Sequence, residues 1–265
     1  MAGARRGVCP ALPSYAAAVA TLPAGAHQVQ GIAGAVAVVP GAGDWWQGVL
    51  SAREQGAVAV VVAGPGMLPP GTIDAGAGSI GIPVVLARSG LRPDIVSDAL
   101  LARKGSPPRI ITVEIAAPAG ELDGLVCDGF GWIRSLAQGP VAMCSARSSG
   151  PGRMALLESM PPRGGATPAT LVATVLDAPG ARGFMKLVAI GEVRTEVVID
   201  PAAGLERVET STPDGVLVAP RRYETQERLA LRRVLAALSS AEPLGDLGGM
   251  MRDMMLLRGL QHAGH

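Results

Sequence analysis

The sequence predicts an α/β layer followed by an α+β layer, and three observations carry that prediction. Between residues 34 and 88, short continuous apolar runs closed by glycine or proline alternate with helical stretches, as in a parallel sheet covered on both faces. Beyond Pro107 and Pro108 the pattern changes to many strands with few helices between them. In the later part, "RTEVVID" (194–200) alternates with period two, which places one strand face on a core and the other elsewhere.

Taken in order, "GAVAVVPGAG" (34–43) is a buried strand. Asp44 then caps a helix through "WWQGVLSAREQ", which Gly56 ends. "AVAVVVAGP" (57–65) is a second buried strand, followed by a Gly/Pro-rich loop through Gly81. "IPVVLAR" (82–88) is a third strand and "RPDIVSDALLARKG" (92–105) a helix. Connections this brief imply a parallel sheet. Next come the strand "RIITVEIA" (109–116) and the helix "ELDGLVCDGFGWIRSLAQ" (121–138). Seven strands follow: "VAMCSAR", "RMALLES", "TLVATVLD", "MKLVAIGE", "RTEVVID", "RVETS" and "VLVAP". An amphipathic helix (224–238) presents Leu229, Val234, Leu235 and Leu238, and a Met-rich helix covers about 244–260. Two domains are expected, 1–106 and 107–265, with no strand in the first 30 residues.

Hydrophobic residues make up 48% and charged residues 17%, which argues for a folded chain. A net charge of +1 with mixed signs gives no footprint for nucleic acid or an acidic membrane. The opening "MAGARRGVCPALPSYAAAVATLPAGAHQ" has an Arg pair before an apolar stretch, but Pro10, Pro13, Ser14 and Tyr15 interrupt it, unlike a secretory signal. No uninterrupted apolar run reaches the roughly 20 residues that span a bilayer. Cys9, Cys127 and Cys144 have neither disulfide-framework nor zinc spacing. A cytoplasmic protein is expected.

Candidate chemistry is sparse. In "VPGAGDWWQG", Gly41 and Gly43 match two glycines of the dinucleotide fingerprint, but Trp46 holds the third place and Gly48 comes two residues late. Trp45, Trp46 and Trp132 are candidates to line a pocket. The histidines, His27, His262 and His265, lie in a glycine-flanked loop and the tail, which disfavours a His-centred base. Lysine occurs only as Lys104, at a helix end, and Lys186, mid-strand with an interior or a face role. "SARSSGPGR" (145–153) reads as a hairpin connection in preference to an anion cradle. Asp123 and Asp128, beside Cys127, share one helix.

The order of elements resembles the Gfo/Idh/MocA family of NAD(P)-dependent sugar oxidoreductases. "DGFGWIRSLAQGPV" (128–141) is similar to that family's helix leading into its large sheet. "GEVRTEVVID" (191–200) with "RRYETQERLALRRVLAAL" (221–238) is similar to its closing strands and penultimate helix. The resemblance implies an incomplete Rossmann-like parallel layer followed by a large open, mostly antiparallel sheet with helices on one face. It also marks departures. The family's G-x-G-x-x-G opening has no counterpart, and its Glu-Lys-Pro turn, whose lysine acts at the substrate, is matched by Ala63-Gly64-Pro65. Asp128 takes the place of its histidine, and the matching Asp falls at Asp123 or Gly124.

The leading expectation is therefore a shortened, non-catalytic accessory subunit that binds no cofactor alone. It would assemble through its open sheet, as a homo-oligomer or with a full-length oxidoreductase of that family. The alternative is an NAD(P)-dependent oxidoreductase of a sugar-like alcohol with an altered cofactor site. Gly41, Gly43, Ala63, Gly64 and Pro65 would then lie at the cofactor, with Asp123, Asp128 or Lys186 for acid–base work. A third reading is a small-molecule-binding regulatory module around the tryptophans.

Overall fold

The computed structural model describes residues 5–22, 24–69, 72, 80–162, 165–240 and 244–263. The chain divides into two compact units, Met1–Ser89 with Tyr223–Met251, and Gly90–Arg222 with Arg252–His265. The boundary expected at residue 106 lies inside the second unit, because the helix at 93–102 belongs with the large sheet. Segment 223–251 returns to the first unit.

In the first unit, five parallel strands run in the order β2-β1-β3-β4-β5, with β1 at Arg6–Cys9, β2 at Ala26–Gln28, β3 at Val36–Pro40, β4 at Ala59–Ala63 and β5 at Val84–Ala87. The first 30 residues thus correct the expectation of no strand there: they form β1, helix α1 (Pro13–Ala20) and β2. Pro13 does not interrupt α1 but sits in its first turn, where the missing N–H costs nothing. Val8, Val36, Val38, Val61 and Val85 pack one sheet face against Tyr15 and Val19 of α1 and Leu231 and Val234 of α5 (Gln226–Ser240). Helix α2 (Trp45–Glu54) covers the other face: a Cβ on its Gly48 would lie 2.6 Å from Val39 Cγ1. The Asp44 cap is as expected, its carboxylate accepting from Gln47 N at 3.1 Å.

In the second unit, eight strands run β13-β12-β11-β10-β6-β9-β8-β7. They comprise β6 (Pro108–Ala117), β7 (Val141–Ser149), β8 (Gly152–Ser159), β9 (Thr167–Val175), β10 (Phe184–Gly191), β11 (Arg194–Asp200), β12 (Leu205–Thr212) and β13 (Gly215–Val218). Only β6 and β9 pair in parallel. Helix α4 (Ala119–Ala137) lies on one face, so close that a Cβ on Gly129 would meet Val113, Ile115 and Leu171 at 3.1–3.2 Å. The opposite face carries Lys186, Glu196, Met154 and Leu156. Residues 145–153 are the end of β7, the turn at Gly150 and Pro151, and the start of β8, a hairpin connection as expected. Helix α3 is Pro93–Ala102, and α6 is Asp246–His262. No described helix is long and apolar enough to cross a membrane.

Candidate functional site

A parallel sheet ordered β2-β1-β3-β4-β5 has its switch point between β1 and β3, and ligands of such sheets bind outside the carboxyl ends there. The turn after β1 reads Cys9-Pro10-Ala11-Leu12-Pro13. Two of these residues are prolines without an N–H, and the N–H groups of Tyr15 and Ala16 are both given to Leu12 O, at 3.1 Å each. The Cys9 thiol donates to Gln30 O at 3.4 Å. This turn does not fit the pyrophosphate of a dinucleotide in the glycine-fingerprint manner, because it has no glycine to let the backbone approach the phosphates and its two prolines have no N–H to offer them.

The turns after β3 and β4 are knitted to each other. Gly41 N donates to Ala63 O at 2.8 Å, and Gly66 N donates to Gly41 O at 2.8 Å. Trp45 Nε1 donates to Gly66 O at 2.8 Å. A Cβ on Gly41 would fall 2.2 Å from Gly64 O, so Gly41 is a glycine because two backbones meet there. Gly43 has φ +66°, a turn residue with open space around it. Gly64 stands where the resembled family has its lysine, and its φ is +61°. The backbone at Ala63-Gly64-Pro65 is therefore built for a glycine, and a lysine there would be strained.

The pocket expectation for the tryptophans is corrected by burial. Trp45 is 1%, Trp46 2% and Trp132 0% exposed, so their rings are spent on the cores of the two units. Trp45 and Trp46 pack edge to face with centroids 6.3 Å apart.

In the second unit, α4 clamps Gly90 from two positions one turn apart. Asp128 Oδ2 accepts from Gly90 N at 2.9 Å, and Trp132 Nε1 donates to Gly90 O at 2.7 Å. A Cβ on Gly90 would lie 2.5 Å from Asp128 Oδ2. Asp128 is buried. Asp123, five residues earlier and on another face of α4, pairs with Arg153 and accepts from Gln261 Nε2 at 3.0 Å. Lys186 lies on the sheet face away from α4, between buried Met185 and Leu187, with Nζ 3.7 Å from Glu196 Oε2. The three acid–base candidates are thus kept apart, and Asp128 alone of them is a buried group held by a backbone N–H. Of the histidines, His27 is exposed on β2, and His262 Nδ1 lies 2.7 Å from Arg258 O, while His265 lies outside the described residues. Among the described residues no group of three or more His, Cys, Asp or Glu is placed to hold a metal.

Sequence reasoning missed a charged cluster by β12. Leu205, Glu206, Arg207, Val218, Arg221 and Arg222 line a hollow of about 510 Å³. Arg92 pairs with Asp94 at 2.8 Å and with Glu206 at 3.9 Å, and Arg222 pairs with Asp98. Burial pushes the Asp94 carboxyl up, but the Arg92 hydrogen bond and charge, the Ile95 N–H and Arg222 outweigh it, and the pKa ends below the usual carboxylate value. Glu206 ends above it, raised by burial and by Asp94 against the pull of Arg92. No spacing in the sequence links residues 92–98 to 206 and 222.

Five parallel strands followed by a large mixed sheet with helices on one face define the two-domain fold of the Gfo/Idh/MocA oxidoreductases. No family model and no curated protein sequence matches the chain. Among solved structures it is similar to the UDP-N-acetylglucosamine 3-dehydrogenase GnnA from Acidithiobacillus ferrooxidans, with a TM-score of 0.73 and 12% identity over 98% of this chain and 97% of that one. KijD10, a 3-ketoreductase from Actinomadura kijaniata in complex with NADP and TDP-benzene, aligns with a TM-score of 0.65 and 14% identity over 98% of each chain. An oxidoreductase from Sinorhizobium meliloti gives 0.64 and 11% over 98% of this chain and 97% of that one. At such identities the likeness is one of fold.

Proposed function

We propose that the chain is an NAD(P)-linked oxidoreductase of a sugar-like alcohol or ketone, with an altered cofactor seat. One observation carries this reading: the fold is shared over nearly the whole length with a nucleotide-sugar dehydrogenase and with a ketoreductase bound to NADP. The cofactor would supply hydride transfer. What this chain supplies is a proton site. Oxidising an alcohol releases a proton that a nearby group must take, and Asp128, at the place matching the resembled family's histidine, has its carboxylate oriented by Gly90 N. The seat is altered because the turn after β1 lacks the glycine fingerprint. Titration of NADH and NADPH fluorescence with the purified chain tests the reading, and saturable binding of either is expected. Asp128→Asn should keep that binding and lower turnover by about 10²–10⁴-fold. A flat titration for both nucleotides would remove the proposal.

A second reading is favoured by a different observation, the apolar residues exposed on the open face of the large sheet: Ile110, Met154, Leu156, Val172, Ile190 and Val216. These alternate with Lys186, Glu196, Arg194 and Arg207 in neighbouring register positions. An exposed patch of this kind supports an assembly role, with a second copy or a full-length oxidoreductase as its cover. The prolines of the first turn and the glycine at position 64 fit a chain that contributes surface instead of turnover. Sedimentation of the purified chain separates the cases, since this reading requires self-association, or capture of an added related oxidoreductase.

A further inference from the structure

Arg103 follows α3 as its C-cap residue and is only 3% exposed. Its guanidinium donates from Nε to Ser106 O at 3.1 Å, and from Nη1 to Ala189 O at 3.2 Å and Thr195 Oγ1 at 3.1 Å. Every one of these acceptors is neutral, and Arg103 makes no ion pair with a carboxylate among the described residues. Arg92, 7% exposed, shows the contrast, with Asp94 at 2.8 Å and Glu206 at 3.9 Å. A buried cation without a counter-charge is strongly unfavourable, and buried donors without acceptors are rare enough to require an explanation.

Arg103 and Ser106 each carry an orphan polar atom, and the two residues are tied to each other by Arg103 Nε to Ser106 O and by Ser106 N to Arg103 O. Arg103 Nη2 and Ser106 Oγ are both buried and have no hydrogen-bond partner. The connection between α3 and β6 brings the two residues together: Lys104 and Gly105 take φ +49° and +81°, and Ser106 N turns back to donate to Arg103 O at 2.9 Å. The facing strand cannot provide a carboxylate at its nearest position. That position is Gly191, where a Cβ would already lie 2.6 Å from Pro107 O and 3.5 Å from Arg103 Nη2. On the remaining side, Thr195 Oγ1 is shared with Thr210 Oγ1 at 3.0 Å, so its hydrogen-bonding capacity is committed. One charged donor and one hydroxyl are left, with no acceptor for either among the described residues.

We propose that Arg103 Nη2 and Ser106 Oγ hold a small monovalent inorganic anion of halide size at the α3–β6 connection. A halide supplies the missing charge and accepts both hydrogen bonds from a single centre. A tetrahedral oxyanion would need several more donors than these two. Burial already pushes the Arg103 pKa below its ordinary value, and a bound anion opposes that shift.

Thermal unfolding of the full chain, at constant ionic strength with sodium gluconate replaced stepwise by sodium bromide, reads the site directly. The midpoint should climb with the logarithm of bromide concentration once the site begins to saturate. Ser106→Ala should flatten that climb. Arg103→Met should abolish it at every bromide concentration, because the charge that would hold the anion has gone. If Arg103→Met does not fold, Ser106→Ala still decides the matter. A bromide-soaked crystal should show an anomalous peak touching both Nη2 and Oγ. Water density without an anomalous peak, or a bromide response that survives in Ser106→Ala, overturns the proposal.

Discussion

At Gly41 the chain has no room for one methyl group, because the Ala63 and Gly64 carbonyls already stand against its Cα. Gly43, two residues on, is a glycine for its φ alone and faces open space. The two positions therefore fail differently. Gly41→Ala should cost about 3 kcal/mol, at the upper end of overpacking penalties, whereas Gly43→Asn should cost well under about 1 kcal/mol, since Asn tolerates the left-handed region. Urea unfolding of both variants separates the two, and equal losses would mean that Gly41 is not pinned by the β4 turn. The same scale governs the charged hollow by β12. Asp94 has a depressed pKa in the folded chain, so its contribution is present above the unfolded-state value and is lost as pH falls through the folded one. Glu206 has a raised pKa, so its contribution is present below the unfolded value and is lost as pH rises through the folded one. Asp94→Asn should thus destabilise at pH 7 by about 1–3 kcal/mol and converge on wild type in acid. Glu206→Gln should stabilise slightly at pH 7 and converge likewise. Urea midpoints from pH 3 to 8 check both signs.

Helix α5 shows what an element contributes when it returns from far along the chain. Leu231 and Val234 are fully buried against Val8, Val36, Val61 and Val85. Leu231→Ala should cost about 2–5 kcal/mol, the range for a large-to-small change in a packed core, as measured by urea unfolding. A loss below about 1 kcal/mol would mean that α5 is not the cover of that sheet face. The apolar stripe of α5 was legible, as were β3, β4 and α2, because continuous valine runs, an Asp cap and a following glycine are local signals. Strands β1 and β2 were not, since each offers one buried residue, Val8 and Ala26, and no period can be read from one residue. The family resemblance found Asp128, but its hydrogen bond to Gly90 spans 38 positions and follows no spacing rule. For the tryptophans, residue type suggested a pocket, and only packing shows that all three rings are interior.

At the scale of the whole molecule, the first unit is discontinuous: Met1–Ser89 supplies the sheet, and Tyr223–Met251 supplies α5 and the start of α6. That arrangement has a consequence for any attempt to treat the N-terminal part as a free-standing nucleotide-binding module. Asp246, at the start of α6, accepts from Leu86 N at 3.0 Å and pairs with Arg233 at 2.6 Å, so α5, α6 and the edge strand β5 are tied together. Arg228 donates to Thr21 O at 2.5 Å, which ties α5 to the end of α1. A chain ending at residue 222 keeps every described strand of both sheets yet loses these ties and the apolar cover of β1, β3, β4 and β5. Uncovered valines on a parallel sheet are not tolerated in water. The shortened chain should therefore lose the cooperative unfolding of its first unit, with hydrogen exchange in β3 and β4 rising toward that of an unfolded segment, while β6 and β10 in the second unit stay protected. Supplying residues 223–251 as a separate peptide should restore protection in β3 and β4. Unchanged protection in the shortened chain without the peptide would show that the first sheet stands without its returning helix, and that the unit is continuous in energy though not in sequence.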